Sequence, residues 1–489
     1  MRRFLTISLV CVLALAIAMP VFALEVKWGG LFRARVLSQH SFTNYPLSGA
    51  YNLGTGKAVP YTQHNNRFDQ RLRIFMDFIS SENLKVVTKF ETNSVWGSAA
   101  QAFNSNTGSG NVGADTGSLN VKNVYVDFKI PQTPLSAKVG VQGINLVDSW
   151  IVDDDFAAAL LQANLKPFTV MLGYISAQNF QTTSESENVD DLVAMVQSKE
   201  GPFKAALIGL WQDGHNTPAS VIPTQMDTPV SGNILDSSNP LYAQLNPFGP
   251  GLLRAENNQL FDLGFQLGYK IDYLSAYLNF VKNFGSAKLG PTIGSLESAD
   301  YTGWMVDAGV NYFCGPWSAN LGGFYTTGAK VAQDAQGNLF LDTNDIKWFT
   351  YPLATSKYFS EIMGGGILDN TAPNGGYWRG YPFPTNIWTV TVGGAWQAMP
   401  TTKLALSYWY FGTSEKAPSR WNGTNWDFSR DLGHEINLNI TQNIVDKLNL
   451  DLVGAYMFTG DAFRAKDSRA DYTGDDNVYE LGARLQWTW

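Results

Sequence analysis

Residues 67–92 read RFDQRLRIFMDFISSENLKVVTKFET. Phe68, Leu72, Ile74, Met76 and Phe78 share one parity, while Arg67, Asp69, Arg71, Arg73 and Asp77 share the other. After SSEN the alternation resumes, with Leu84, Val86 and Phe90 set against Lys85, Lys89 and Glu91. Successive side chains of an extended chain point to opposite faces, so this stretch is two strands joined by a tight reversal. One face is apolar and the other densely charged, which suits a wall between lipid and water. A soluble sandwich alternates too, but it interrupts its strands sooner and buries its larger aromatics.

The rest of the chain repeats the pattern. Strands are expected at about 25–39, 66–80, 83–94, 119–130, 135–145, 155–165, 167–177, 189–199, 202–212, 258–270, 272–282, 300–313, 316–328, 385–398, 401–414, 430–442, 447–459 and 475–489, about eighteen in all. Alternate connections are very short: SSEN, PQTP, KP, EGP, KID, CGP, MPT and NIVD. The others are long, as in 40–65, 95–118, 213–257 and 329–384. Tight turns at one end and large loops at the other predict an all-β, transmembrane, antiparallel up-and-down barrel. Its short turns would face the periplasm and its long loops the cell exterior, in the outer membrane of a Gram-negative cell.

Composition agrees. Charged residues are 16% of the 489, below the roughly 25% of ordinary soluble domains, while aromatics are 13% and Trp alone numbers 15. Arg2 and Arg3 precede the apolar run FLTISLVCVLALAIAMPVFA, which ends in a small-x-small cleavage pattern. Residues 1–23 therefore read as a cleaved Sec signal and 24–489 as one barrel domain. Losing Arg2 and Arg3 takes 34 basic residues to 32, against 42 acidic. Beyond the signal there is one cysteine, Cys314, so no disulfide, haem or zinc spacing arises.

The chain ends on YELGARLQWTW, an alternating strand with Trp487 and Trp489 on its apolar face. Such a strand must close the barrel against the first one, because an open edge in lipid leaves backbone groups unpaired. The terminal Trp489 also resembles the signal read by the barrel-assembly machinery.

RLRIFMDFISSENLKVVTKFETNSVWG, VKNVYVDFKIPQTPLSAKVGVQGINLVDSW and LGHEINLNITQNIVDKLNLDLVGAYMFTGDAF together resemble the alginate-export and related porin-like outer-membrane barrels. The resemblance covers strands two to five and sixteen to eighteen. It implies eighteen strands, and it identifies a barrel type better than a cargo.

Parity assigns the lumen. Arg33 and Arg35 on the first strand, Arg67, Asp69, Arg71 and Arg73 on the second, Lys85, Lys89 and Glu91 on the third, and Glu480 and Arg484 on the last all face inward. Barrel closure joins these four strands into one continuous wall. It is either a salt-bridged polar lining or a basic ladder that draws anions through. Loop 329–384 carries Trp348, Phe349, Tyr351, Tyr358 and Phe359, too many aromatics for a freely solvated loop. It either packs into the mouth and constricts it, or caps the loops outside.

No catalytic, cofactor, metal or nucleic-acid motif stands out. The short acidic runs at 342–345 and 474–477 are the only calcium-like ones, and such runs are usually just solvated. The expected function is passive diffusion of ions and small hydrophilic solutes, through either a general or an anion-preferring porin. Alternatives are an exporter of an anionic polymer, a sleeve around a periplasmic electron carrier, and a structural role in the envelope. The expected partners are outer-membrane lipid, the assembly machinery and small solutes; a homo-oligomer is left open.

Overall fold

The computed structural model describes residues 24–40, 51–52, 57–58, 64–96, 119–180, 187–217, 255–289, 298–328, 330–333, 335, 339–341, 345–354, 357–369, 377–378, 381–382, 385–421, 425–462, 466–467 and 477–489. The signal expectation and most of the two acidic runs lie outside them.

Eighteen strands form the wall. They are β1 (Glu25–His40), β2 (His64–Ser81), β3 (Leu84–Val95), β4 (Asn120–Lys129), β5 (Leu135–Leu146), β6 (Val152–Leu165), β7 (Phe168–Phe180), β8 (Glu187–Glu200) and β9 (Phe203–Thr217). They continue as β10 (Ala255–Ile271), β11 (Leu274–Leu289), β12 (Trp304–Cys314), β13 (Trp317–Thr326), β14 (Ile387–Met399), β15 (Thr402–Trp421), β16 (Trp426–Val445), β17 (Leu448–Thr459) and β18 (Asn477–Thr488). Each pairs antiparallel with the next, and β1 pairs with both β2 and β18. The sheet is thus a closed antiparallel barrel with no free edge, the condition for crossing lipid with strands.

The seam between first and last strands runs from Leu31 opposite Thr488 to His40 opposite Tyr479. Gly30 and Trp489 extend it, exchanging N–H···O bonds of 3.1 and 3.2 Å. Gly30 is required there, because a Cβ would enter the Trp489 ring and lie 2.7 Å from the Arg73 carbonyl oxygen.

The outer surface is a lipid-facing belt. Leu172, Leu207, Leu267, Leu321, Val392 and Leu438 are exposed in it. Trp317 and Trp396 stack at 5.1 Å near the short turns, the end of the barrel where Tyr273, Tyr312 and Trp487 are also exposed. Toward the loops, the Tyr174 hydroxyl donates to Asp190 at 2.5 Å and the Trp211 indole donates to Gln259 at 2.8 Å. Such rings bury a body and wet a tip, which fixes them at the two interfaces. An apolar belt between aromatic girdles on a closed barrel places the protein in a Gram-negative outer membrane.

Two expectations need correction. Not every connection at the loop end is long: residues 147–151 and 422–425 are brief. The second joins β15 and β16, each 20 residues, which run on well past the expected 401–414 and 430–442. Pairing there outlasts the apolar alternation that marks the lipid belt. The first closes a hairpin that leaves the wall. Pairing of β5 to β4 stops at Val141, and pairing of β6 to β7 stops at Ala157. Above those points β5 and β6 leave their wall neighbours and pair with each other, up to Leu146 opposite Val152. Gly140, with φ at +132°, marks the bend, and a Cβ there would strike the β4 backbone, 2.7 Å from Tyr125 Cα. Strand β6 therefore begins before the expected 155–165 and takes in Asp153 and Asp154 as well as Asp155.

Candidate pore and its inserted segments

The hairpin tip crosses the lumen. Trp150 is fully buried and its indole N–H donates to Asp307 of β12 at 2.8 Å. Asn279 of β11 donates to Asp148 at 2.9 Å. Val147 and Ile151 lie against Gly264 of β10, within 3.1 and 3.3 Å of where its Cβ would be. These strands are not wall neighbours of β5 and β6, so the contacts are made through the interior.

A second segment, 345–369, enters from the connection between β13 and β14. Thr350 and Asn283 of β11 exchange hydrogen bonds of 2.8 and 2.9 Å. Leu353 then adds in parallel to the hairpin edge opposite Val152. Lys357 locks the two insertions together. Its Nζ donates to the Asp148 carbonyl at 2.7 Å, sits 3.4 Å from Asp307 Oδ2, and lies 5.1 Å above the Trp150 ring. Further on, the buried Glu435 carboxylate of β16 accepts from the Ser360 hydroxyl and the Ile362 and Met363 N–H groups at 2.9–3.2 Å. Glu361 folds back to accept from the Ile367 N–H and from Asn439.

Between the insertions and the wall lies an apolar core. Ile144, Leu146, Trp150, Ile151, Phe349, Ile362 and Met363 pack on Ile175, Val193, Ile208, Leu210, Val281, Met305, Phe324, Phe411 and Met457 of the inner face. This fill occupies the side of the lumen lined by β7 to β17.

The wall of β18 and β1 to β4 is the charged side. Arg35 makes a bidentate pair with Asp69 at 2.7 and 2.8 Å and also donates to the Leu368 and Asp369 carbonyls. Arg33 and Arg71 both donate to Asp369 Oδ2, while the Tyr358 hydroxyl donates to Oδ1 at 2.5 Å. Arg484 pairs with Asp451 at 2.9 Å and donates to the Ile367 carbonyl. Arg33, Arg35 and Arg484 thus hold the end of the inserted segment. Glu480 is wholly buried and accepts from Gln39 at 2.5 Å.

The other predicted wall residues pair sideways. Arg67 meets Asp69 at 2.9 Å, Arg73 meets Glu91 at 2.5 Å, Lys85 meets Asp77 at 3.1 Å and Lys89 meets Asp155 at 3.5 Å. Lys122, absent from the predicted set, meets Asp155 at 2.9 Å. Most pairs are lopsided: the Arg73 side chain is 28% exposed over Glu91 at 6%, and Arg67 33% over Asp69 at 8%. The carboxylates stand at the back and the cations in front.

Of the loop aromatics, Trp348 and Phe349 are buried and Tyr351 is partly so. Phe349 meets Trp150 edge-on at 6.0 Å, and Phe359 packs on Phe324 at 5.1 Å and Trp409 at 5.9 Å. Tyr358 alone is exposed. Four of the five serve to dock the segment.

Asp369 and Lys357 carry ionic contacts that sequence reading missed, because nothing local distinguishes them. The hairpin did leave a signal. Below Val141 the apolar residues of β5, such as Leu135 and Val139, face outward; above it Ile144 and Leu146 lie on the inward parity.

No family model matches the chain, and no curated protein matches it. Solved structures of similar fold include Pseudomonas aeruginosa OccK8 (OprE), at 11% identity and a TM-score of 0.49, covering 95% of this chain and 98% of that one. Others are Pseudomonas aeruginosa OpdQ and a BenF-like porin from Pseudomonas fluorescens Pf-5, both at 9% identity and 0.47, covering 95% of this chain and 98% of theirs.

Proposed function

We propose that the protein is an outer-membrane channel for passive diffusion of small hydrophilic solutes, with a modest preference for anions. An eighteen-stranded barrel is wide enough to hold water, and the two insertions reduce its bore to a passage along β2 to β4. The observation that carries the reading is the layering of that wall. Its cations are each paired with a carboxylate, so a passing ion does not meet bare positive charge. It meets guanidinium and ammonium groups whose carboxylates lie behind them, which favours an anion at short range in a low-dielectric setting.

The resemblance to alginate-export barrels keeps an anionic polymer as a second reading, supported by basic groups from Lys85 near the short turns to Arg67 and Lys122 near the loops. The sleeve reading is weakened by the apolar core, which occupies the volume that a protein partner would need. Among the described residues of the wall no reacting centre stands out, and the channel is proposed to act without catalysis.

The test is single-channel conductance of the purified barrel in a planar bilayer, with the reversal potential read across a KCl gradient. A stable conductance biased toward chloride is expected, and Arg71→Ala with Arg73→Ala should reduce the bias. An unselective pore would reduce the basic wall to structural lining. A folded barrel that never conducts would overturn the channel itself.

A further inference from the structure

Away from the passage, the inner faces of β8 to β11 carry polar side chains that the channel reading does not use. Asp191 of β8 stands opposite Gln212 of β9, and Asp262 of β10 stands opposite Asn283 of β11. Gln212 lies opposite Leu260 and therefore diagonal to Asp262 on the same face. All four are buried, with at most 1% of their surface exposed.

Each carboxylate has one oxygen served. The Gln212 amide donates to Asp191 Oδ1 at 3.0 Å, and the Asn283 amide donates to Asp262 Oδ1 at 2.5 Å. What remains is three acceptors with no donor: Asp191 Oδ2, Gln212 Oε1 and Asp262 Oδ2. Neither aspartate has an ion-pair partner among the described residues. Two ionised carboxylates in a sealed interior are strongly disfavoured unless a proton or a counter-charge accompanies each of them. Thr350 of the inserted segment closes over the group through its bonds to Asn283.

We infer that Asp191, Gln212 and Asp262 form a binding site for a hard divalent cation of calcium's kind. Two carboxylates balance its charge, and an all-oxygen set is what such an ion takes; nitrogen- or sulfur-preferring metals find no ligand here. Water completes a coordination shell that the protein only half supplies. The cation joins three adjacent wall strands directly under the point where the inserted segment docks. Its binding therefore stabilises the docked state of that segment.

The experiment strips the purified, detergent-solubilised barrel with EDTA and measures calcium binding by equilibrium dialysis. One calcium per barrel is expected, with a higher melting temperature in calcium than in EDTA. Asp262→Asn should weaken binding by more than the roughly 10- to 100-fold that loss of an outer-shell partner costs. The double variant Asp191→Asn, Asp262→Asn should abolish both binding and the melting shift. Asp213→Asn, one position along and facing the other side of the sheet, should change neither. Absence of bound calcium in the wild type would overturn the inference and leave the two carboxyls protonated instead. So would binding retained in the double variant, or lost equally in Asp213→Asn. Should the double variant fail to fold, Gln212→Met and the wild-type stoichiometry decide the question.

Discussion

Replacing Asp369 by alanine should release the end of the inserted segment. Asp369 is the only ion-pair partner of Arg33 among the described residues, and the Arg33 side chain is just 6% exposed while that of Asp369 is 28% exposed. Breaking a fully buried pair costs about 3–5 kcal/mol because a charge is left behind. An exposed pair is worth about 0–1 kcal/mol. The mixed exposure here places the cost at about 2–3 kcal/mol, most of it the stranded Arg33. At 1.4 kcal/mol per factor of ten, the ratio of docked to released segment should fall by roughly 30- to 140-fold. The assay is the fraction of time single channels spend at a higher conductance level. Arg33→Met, Asp369→Ala removes the stranded charge as well, and should recover most of the docked population. If the single and double variants open equally often, the stranded charge is not what Asp369 controls. If Asp369→Ala conducts like wild type, the segment is held without its end and the latch is refuted.

Trp150→Ala removes a buried ring that also donates to Asp307, and large-to-small changes of this kind cost about 3–5 kcal/mol; the hairpin tip should loosen and single-channel noise should rise. Docking should also respond to pH. Burial pushes the Glu361 carboxyl above its ordinary value despite its hydrogen bonds from the Ile367 N–H and Asn439. Its proton is therefore held more tightly when the segment is docked, so docking is strongest below the ordinary glutamate range and weakens as pH rises through the raised value. Asp369 runs the other way. Burial opposes its ionisation, but the Tyr358 hydroxyl and the Arg33 and Arg71 charges outweigh that and hold it below its usual range, so its contribution is lost only in stronger acid. Open time should thus increase as pH rises from the ordinary glutamate range through the raised value, and Glu361→Gln should reduce that rise. Finally, Gly30→Val should block the seam against Trp489 and the β2 backbone, and the fraction of barrel that migrates as folded on unheated gels should drop sharply.

Much of the barrel is legible in a stretch such as 67–92, and the reason is physical. In lipid every strand must present an apolar face outward and pair all its backbone groups, so each strand carries the period-two signature by itself. The strand count, the seam at Trp489 and the inward parity of Arg33, Arg71 and Lys89 are consequences of local pattern plus closure. The interior is different. Strands such as β9, with Leu207 and Trp211 outward but Ile208 and Leu210 buried inward, are apolar on both faces. That hints that something covers the inner wall without saying what. The cover is made by contacts such as Arg33 with Asp369, 336 residues apart, and Trp150 with Asp307, 157 apart. Alternation fixes which way a side chain points, because that depends only on its neighbours in the chain. Which segments fold into the lumen, and which arginines they occupy, is decided by partners that only the closed barrel brings within reach.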